Sequence, residues 1–255
     1  MQAAVLPFRY GWQWILDGAH LFAKQPMAMF FWSLVTNVLF ILSYLIPLLG
    51  QALLIAAMPA LTFVVLSAAR NVSQNKIMRA GMWLKPLADS KIKRQFVRLG
   101  LAYLFACLAG GLVATLPFIP SIVAALENSQ AIDEFALISA LQWPLLAFFV
   151  VYIVISALFW HAPALIGWHG LQIRQALFYS IVACWRNKWP FLLYALSWAA
   201  LFYAVHLFGT VLLGLGLADG LTQFILTLIN LSLTALLYCT FYPIYRSTFG
   251  IAANA

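Results

Sequence analysis

The sequence predicts an all-α, polytopic membrane protein with six transmembrane helices as three hairpins, amphipathic helices on the inner surface and both termini cytoplasmic. Three observations carry this. First, 65% of the 255 residues are hydrophobic and only 8% are charged, where an ordinary soluble domain has about 25% charged residues. With a mean hydropathy of +0.97, most of the surface must face lipid rather than water. Second, six apolar stretches reach the ~20 residues that a helix needs to cross the hydrocarbon core. Third, none of the 14 Lys and Arg residues lies inside those stretches, and all 14 fall on one side of the six-span reading.

The spans read as 27–46, 51–69, 99–119, 141–160, 191–213 and 221–242, together one membrane domain over 1–255. Barrel strands would be about ten residues long and alternating. These runs are longer and apolar all round, so helix is the conformation that satisfies their backbone in lipid. Arg9 precedes the first run, but no small-residue cleavage site follows it. The first helix is therefore expected to stay as an uncleaved anchor.

Ahead of the first span, Phe8, Trp12, Ile15, Ala19 and Phe22 recur at helical spacing, and Gln13, Asp17, His20 and Lys24 form another stripe. Ahead of the fifth, Phe178, Ile181, Val182, Trp185 and Trp189 form a similar apolar stripe. Helices of this kind lie flat among headgroups, with tryptophan at the boundary. The outer connections at 47–50 and 214–220 are short. The middle one, 119–140, follows Pro117 and Pro120, and its Ile122, Leu126, Ile132 and Phe135 predict a short surface helix.

Charge then sets the orientation. Arg9 and Lys24 precede the first span, Arg174, Arg186 and Lys188 lie between the fourth and fifth, and Arg246 follows the sixth. The segment 70–98 holds eight basic residues and one acid, Asp89, for a net +7. The opposite loops carry only Glu127, Asp133, Glu134 and Asp219. Short loops rich in Lys and Arg stay cytoplasmic, and a shift of one span would destroy the sorting. Lys76, Arg79, Lys85, Lys91, Lys93, Arg94 and Arg98 form a candidate patch for anionic membrane lipid, at about 1 kcal/mol per residue near the surface. An acidic protein partner at the cytoplasmic face would fit the same patch, whereas nucleic acid is not expected.

A weak internal repeat runs through the chain. Lys24-Gln25-Pro26 and Lys188-Trp189-Pro190 each lead from a surface segment into a span. Proline suits a helix's first turn, where its missing N–H is no loss. Pro59-Ala60-Leu61 and Pro163-Ala164-Leu165 each lie eleven residues before an arginine, Arg70 and Arg174, and Pro243 precedes Arg246. The pattern reads as three units, each a surface segment followed by a hairpin.

The spans contain no Asp, Glu, Lys or Arg, which argues against ion-coupled pumping and removes the usual general acids and bases from the membrane interior. His161, Pro163 and His169, with Asn37 and Asn230, are the candidates for a polar cavity. Proline within a helix frees a carbonyl. If the fourth helix ran on to Arg174, His161 would lie about 20 Å from that end; if it stopped near Trp160, both histidines would be interfacial. The pair Gly110-Gly111 favours close helix approach, and the GxxxG at Gly216 and Gly220 falls in an outer turn. Cys107, Cys184 and Cys239 are scattered and odd in number, without a disulfide or zinc pattern. No phosphate loop, dinucleotide fingerprint or hydrolase motif is present, so no catalytic residue, metal or cofactor is implied.

The runs Ile46-Pro47-Leu48-Leu49-Gly50, Phe159-Trp160-His161-Ala162-Pro163-Ala164-Leu165 and Cys184-Trp185-Arg186-Asn187-Lys188-Trp189-Pro190-Phe191 resemble a family of uncharacterised six-helix inner-membrane proteins of proteobacteria. The hairpin layout is more distantly similar to the membrane domain beside some glycerophosphodiester phosphodiesterases, whose soluble catalytic part has no counterpart here. The first resemblance implies a bacterial inner-membrane location and no established activity.

Together these readings point to a non-enzymatic membrane component that binds lipid or a partner. The alternative is a transporter or permeation pathway for a small or amphiphilic solute. Orientation is directly testable on a cysteine-free background. A Lys85→Cys variant should react with an impermeant maleimide only from the cytoplasmic side, and a Leu217→Cys variant only from the outside of intact cells. The reverse labelling would invert the topology.

Overall fold

The computed structural model describes residues 3–127 and 134–250. Helix α1 (Tyr10–Lys24) leads into α2 (Pro26–Ser43), and α3 is Leu49–Ser73. Two short 3-10 turns, Ala80–Met82 and Lys85–Leu87, precede α4 (Ser90–Thr115), and a third, Leu116–Phe118, joins it to α5 (Ile119–Glu127). Then come α6 (Glu134–Phe159), α7 (Ala162–His169), α8 (Ile173–Arg186), α9 (Lys188–Gly214) and α10 (Asp219–Phe249). There is no strand among the described residues. Six helical stretches are long and apolar enough to cross a membrane, and they fall on the six spans read from the sequence. Of the expected outer surface helix, Ile122 lies in α5, while Ile132 and Asp133 are outside the described residues. So are the side chains of Leu126, Glu127, Glu134 and Phe135.

The helices outrun the apolar spans on the basic side. Arg70 belongs to α3, and Lys91, Lys93, Arg94 and Arg98 belong to α4, so the connecting loop is 74–89 rather than 70–98. Once nucleated, a helix gains one backbone bond per added residue, and leaving the hydrocarbon does not remove that gain. Asp89 caps α4 by accepting from the Lys91 N–H at 2.7 Å.

The surface segments are helical, and of the two expected apolar stripes only Ile15 is buried. In α1 the face against the bundle is Gly11, Trp14, Ile15, Gly18 and Leu21, while Phe8 and Trp12 are exposed. In α8 the buried face is Ala176, Ser180, Ala183 and Cys184, and Phe178, Trp185 and Trp189 are exposed. In α8 small residues turn inward where the helices approach closely, whereas in α1 the fully buried Trp14 sits between Gly11 and Gly18. Lys188 Nζ sits 4.6 Å from the Trp185 ring centroid, a cation–π contact at that boundary. Burial pushes the Cys184 thiol up to about 12, so it stays protonated and unreactive near neutral pH.

Helix α1 packs on α9 and α10, α4 packs on α3 and α6, and α8 packs on α6. Two of these contacts share a device. Gly18 of α1 faces Thr240, three residues before Pro243, and Gly100 of α4 faces the Ala56 carbonyl, three residues before Pro59. A Cβ at either glycine would collide with the neighbour. Gly110 serves the α4–α6 crossing, where a Cβ would lie 2.8 Å from Ile155 Cδ1. Gly216 turns between α9 and α10 with φ 82°, so the GxxxG pair is turn geometry rather than a packing face.

Two amides clamp the extended segments. Gln25 donates to the Lys76 carbonyl at 2.8 Å and accepts from the Met78 N–H at 2.9 Å. Asn187, which is completely buried, donates to the Ala4 carbonyl at 2.8 Å and accepts from the Leu6 N–H at 2.9 Å. Each amide grips a carbonyl and the N–H two residues on, as a neighbouring strand would. Asn187 also donates to the Ala183 carbonyl at 3.0 Å. Asn187→Ala should destabilise the fold by about 1–3 kcal/mol, the penalty of buried groups left without partners. Thermal unfolding in detergent checks this; an unchanged Tm would show that the clamp carries no stability.

Candidate functional site

The break between α6 and α7 opens the centre of the bundle. Helix α6 stops at Phe159 and α7 starts at Ala162, because Pro163 has no N–H to continue the ladder. The fourth helix thus ends near Trp160 and does not run unbroken to Arg174, and the short α7 carries the apolar stretch on to His169. Ser180 of α8 repairs the gap. Its Oγ accepts from the His161 N–H at 2.9 Å and donates to the Ala157 carbonyl at 2.8 Å. The His161 ring is only 1% exposed, and it sits 5.8 Å from Tyr245 and 5.1 Å from Phe249 between centroids. Among the described residues its Nε2 has no hydrogen-bond partner, and the same is true of Tyr245 Oη and Trp32 Nε1.

All three of these residues line one cavity of about 390 Å³ between α2, α3, α4, α6, α7 and α10. Along α10 it reaches from Thr234 to Tyr245, about 16 Å of helix and so roughly half of a ~30 Å hydrocarbon core. At the end nearer the basic loop the walls are buried: Trp32, His161, Pro163 and Tyr245. Trp83 of that loop stacks on Trp32 with centroids 4.7 Å apart. At the other end Asn37, Phe40, Met58 and Tyr152 are exposed. Helices α6 and α10 scarcely touch among the described residues, which leaves a seam between Tyr152 and Ser156 on one side and Thr234 and Tyr238 on the other.

A probable inner membrane protein of Burkholderia thailandensis is 30% identical over a 270-residue alignment that covers 98% of this chain and 95% of its own length. The chain belongs to this family of inner-membrane proteins. With six membrane-length apolar helices, it is a multi-pass protein of the bacterial inner membrane. No family-wide sequence profile matches it, and no solved structure is significantly similar.

Of the residues that the sequence offered for a polar cavity in this inner-membrane protein, Asn37, His161 and Pro163 line the space. His169 and Asn230 do not. His169 ends α7, where its ring lies 6.4 Å from Tyr245. Asn230 is exposed on α10, one turn before the Thr234 that does line it. The seven residues of the basic patch, Lys76 to Arg98, are all exposed. Among the described residues, no three His, Cys, Asp or Glu side chains group as metal ligands.

Sequence reasoning missed the hydroxyl groups. Tyr103 and Tyr152 pair across α4 and α6 at 3.1 Å, and Tyr238 donates to Thr36 Oγ1 across α10 and α2 at 3.2 Å. Tyrosine inside a span carries no spacing signal of its own. The usable clue would have been several tyrosines at the depth of Asn37 and His161. The junction itself can be probed. Ser180→Ala strands a buried N–H and a carbonyl together, and should destabilise the protein by about 1–3 kcal/mol. Ser180→Thr should keep most of that stability, as read by thermal unfolding.

Proposed function

We propose that this inner-membrane protein is a non-enzymatic component that binds an amphiphilic, lipid-like molecule in the cavity between α2, α3, α4, α6 and α10. The observation that carries the reading is the cavity itself. Protein interiors are close-packed with few voids larger than a water molecule, and small-molecule sites typically measure about 300–1,000 Å³. A space of about 390 Å³ walled by Leu54, Leu61, Val65 and Leu66 and studded with hydroxyls suits a molecule that is mostly apolar with a few polar atoms. Of the groups an enzyme would recruit, His161 lines it, but Asp17, His20, Asp89 and His169 do not, so the imidazole meets no carboxylate there. The distant resemblance to membrane domains beside glycerophosphodiester phosphodiesterases agrees with lipid handling rather than hydrolysis.

The basic end supports a second lipid contact. Lys76, Lys85 and Arg98 stand beside exposed Ile77, Leu84 and Val97, an arrangement that fits an anionic membrane surface. An acidic protein partner is the competing occupant there. The α6/α10 seam favours a further reading, in which the bound molecule passes through rather than staying. A transport assay in vesicles separates passage from retention.

Extraction of the protein purified in native-lipid discs should recover an amphiphile enriched over the surrounding membrane at close to one per chain. Thr62→Trp, which puts a large ring into the cavity, should abolish that enrichment while leaving the unfolding temperature near the wild-type value. An extract with the composition of the bulk membrane, or one unaffected by Thr62→Trp, would sink the proposal.

A further inference from the structure

We infer that the molecule held in this cavity is an uncharged lipid with a hydroxyl or carbonyl head, its tail leaving sideways between α6 and α10. This rests on the binding reading above and adds the charge and direction of the ligand. None of the described lining residues is Asp, Glu, Lys or Arg. Desolvating an ionised headgroup there, without a counter-charge, would cost several kcal/mol. None of the exposed cations of 76–98 lines the cavity. An anionic lipid therefore belongs on that basic surface, not within the cavity.

The wall groups fit a neutral oxygen function. In the Tyr103–Tyr152 pair one hydroxyl donates to the other, and the Cys107 thiol beside Tyr103 is only a weak competitor for the O–H that remains. Thr62 and Thr234 donate to carbonyls of their own helices at 2.9 and 2.8 Å and keep lone pairs to accept with. The amide of Asn37 has no hydrogen-bond partner among the described residues and stands at the open end. Donors and acceptors are thus offered together, as a hydroxyl or carbonyl requires, and the leucine and valine walls take the first part of the chain. The seam gives the rest of the tail a way into the bilayer, because α6 and α10 scarcely touch among the described residues.

The test uses the full-length protein in nanodiscs and two probes with the same tail, tritiated hexadecanol and hexadecyl phosphate, in a proximity binding assay. Saturable binding of the alcohol at least about tenfold tighter than that of the phosphate is expected. Asn37→Leu and Tyr152→Phe should each weaken alcohol binding by about 2–10-fold, the effect of one neutral hydrogen bond. Their melting temperatures should match the wild type; Asn37 is exposed, so its variant keeps the test alive if the tyrosine variant is unstable. A diazirine at the end of the alcohol's tail should label α6 or α10. Equal or tighter binding of the phosphate overturns the neutral-head assignment while leaving the cavity reading standing. Binding indifferent to both substitutions overturns the location, and labelling of α3 or α4 overturns the exit route. If neither probe binds saturably, this inference falls, and the binding reading is then judged by the lipid extract alone.

Discussion

In hydrocarbon a backbone N–H or C=O has no water to turn to, so every interruption of a helix must be repaired from within the protein. That constraint organises this molecule. The fourth span breaks before Pro163, and one serine hydroxyl, Ser180, serves both loose ends, the His161 N–H and the Ala157 carbonyl. The repair ties α8 to α6. It also holds His161 where an unbroken helix would have carried it elsewhere. The amides of Gln25 and Asn187 solve the related problem at the membrane surface, where extended segments pass beneath the bundle and need partners for their own backbone groups.

Close approach is the second theme. Gly18 and Gly100 let α1 and α4 settle against the turns just before Pro243 and Pro59. Proline leaves such turns short of one backbone bond, and the packed neighbour shields them. The contact recurs, as does the amide clamp of Gln25 and Asn187. Tight packing at these points coexists with a loose centre. The facing positions in the middle of the membrane are occupied by Thr36, Asn37 and Thr62, and α6 and α10 stand apart.

Fold class was legible in the sequence because hydrocarbon imposes length and polarity on each span independently of its neighbours. The six apolar runs could be counted without knowing how they pack. Helix ends were less legible, as Arg70 and Lys91 illustrate: a helix continues past the membrane face wherever its backbone bonds can continue. The apolar stripes of α1 and α8 leave Phe8, Trp12 and Trp185 exposed. Which face packs on the bundle was not legible, because lipid is apolar too: Trp14 is buried while the equally apolar Trp12 is not.

By itself the sequence determined an all-α membrane protein with six spans and no Asp, Glu, Lys or Arg among the apolar runs. These follow from composition and length, which the bilayer reads residue by residue. Only the tertiary structure decided that Asn37 and His161 share one cavity while Asn230 and His169 are left out of it. It also decided that four tyrosines from α4, α6 and α10 join them. Membership in that cavity depends on the rotation of each helix about its own axis and on the break at His161. Both are set by contacts between residues far apart in the chain, such as Ser180 with Ala157 and Gly100 with Ala56.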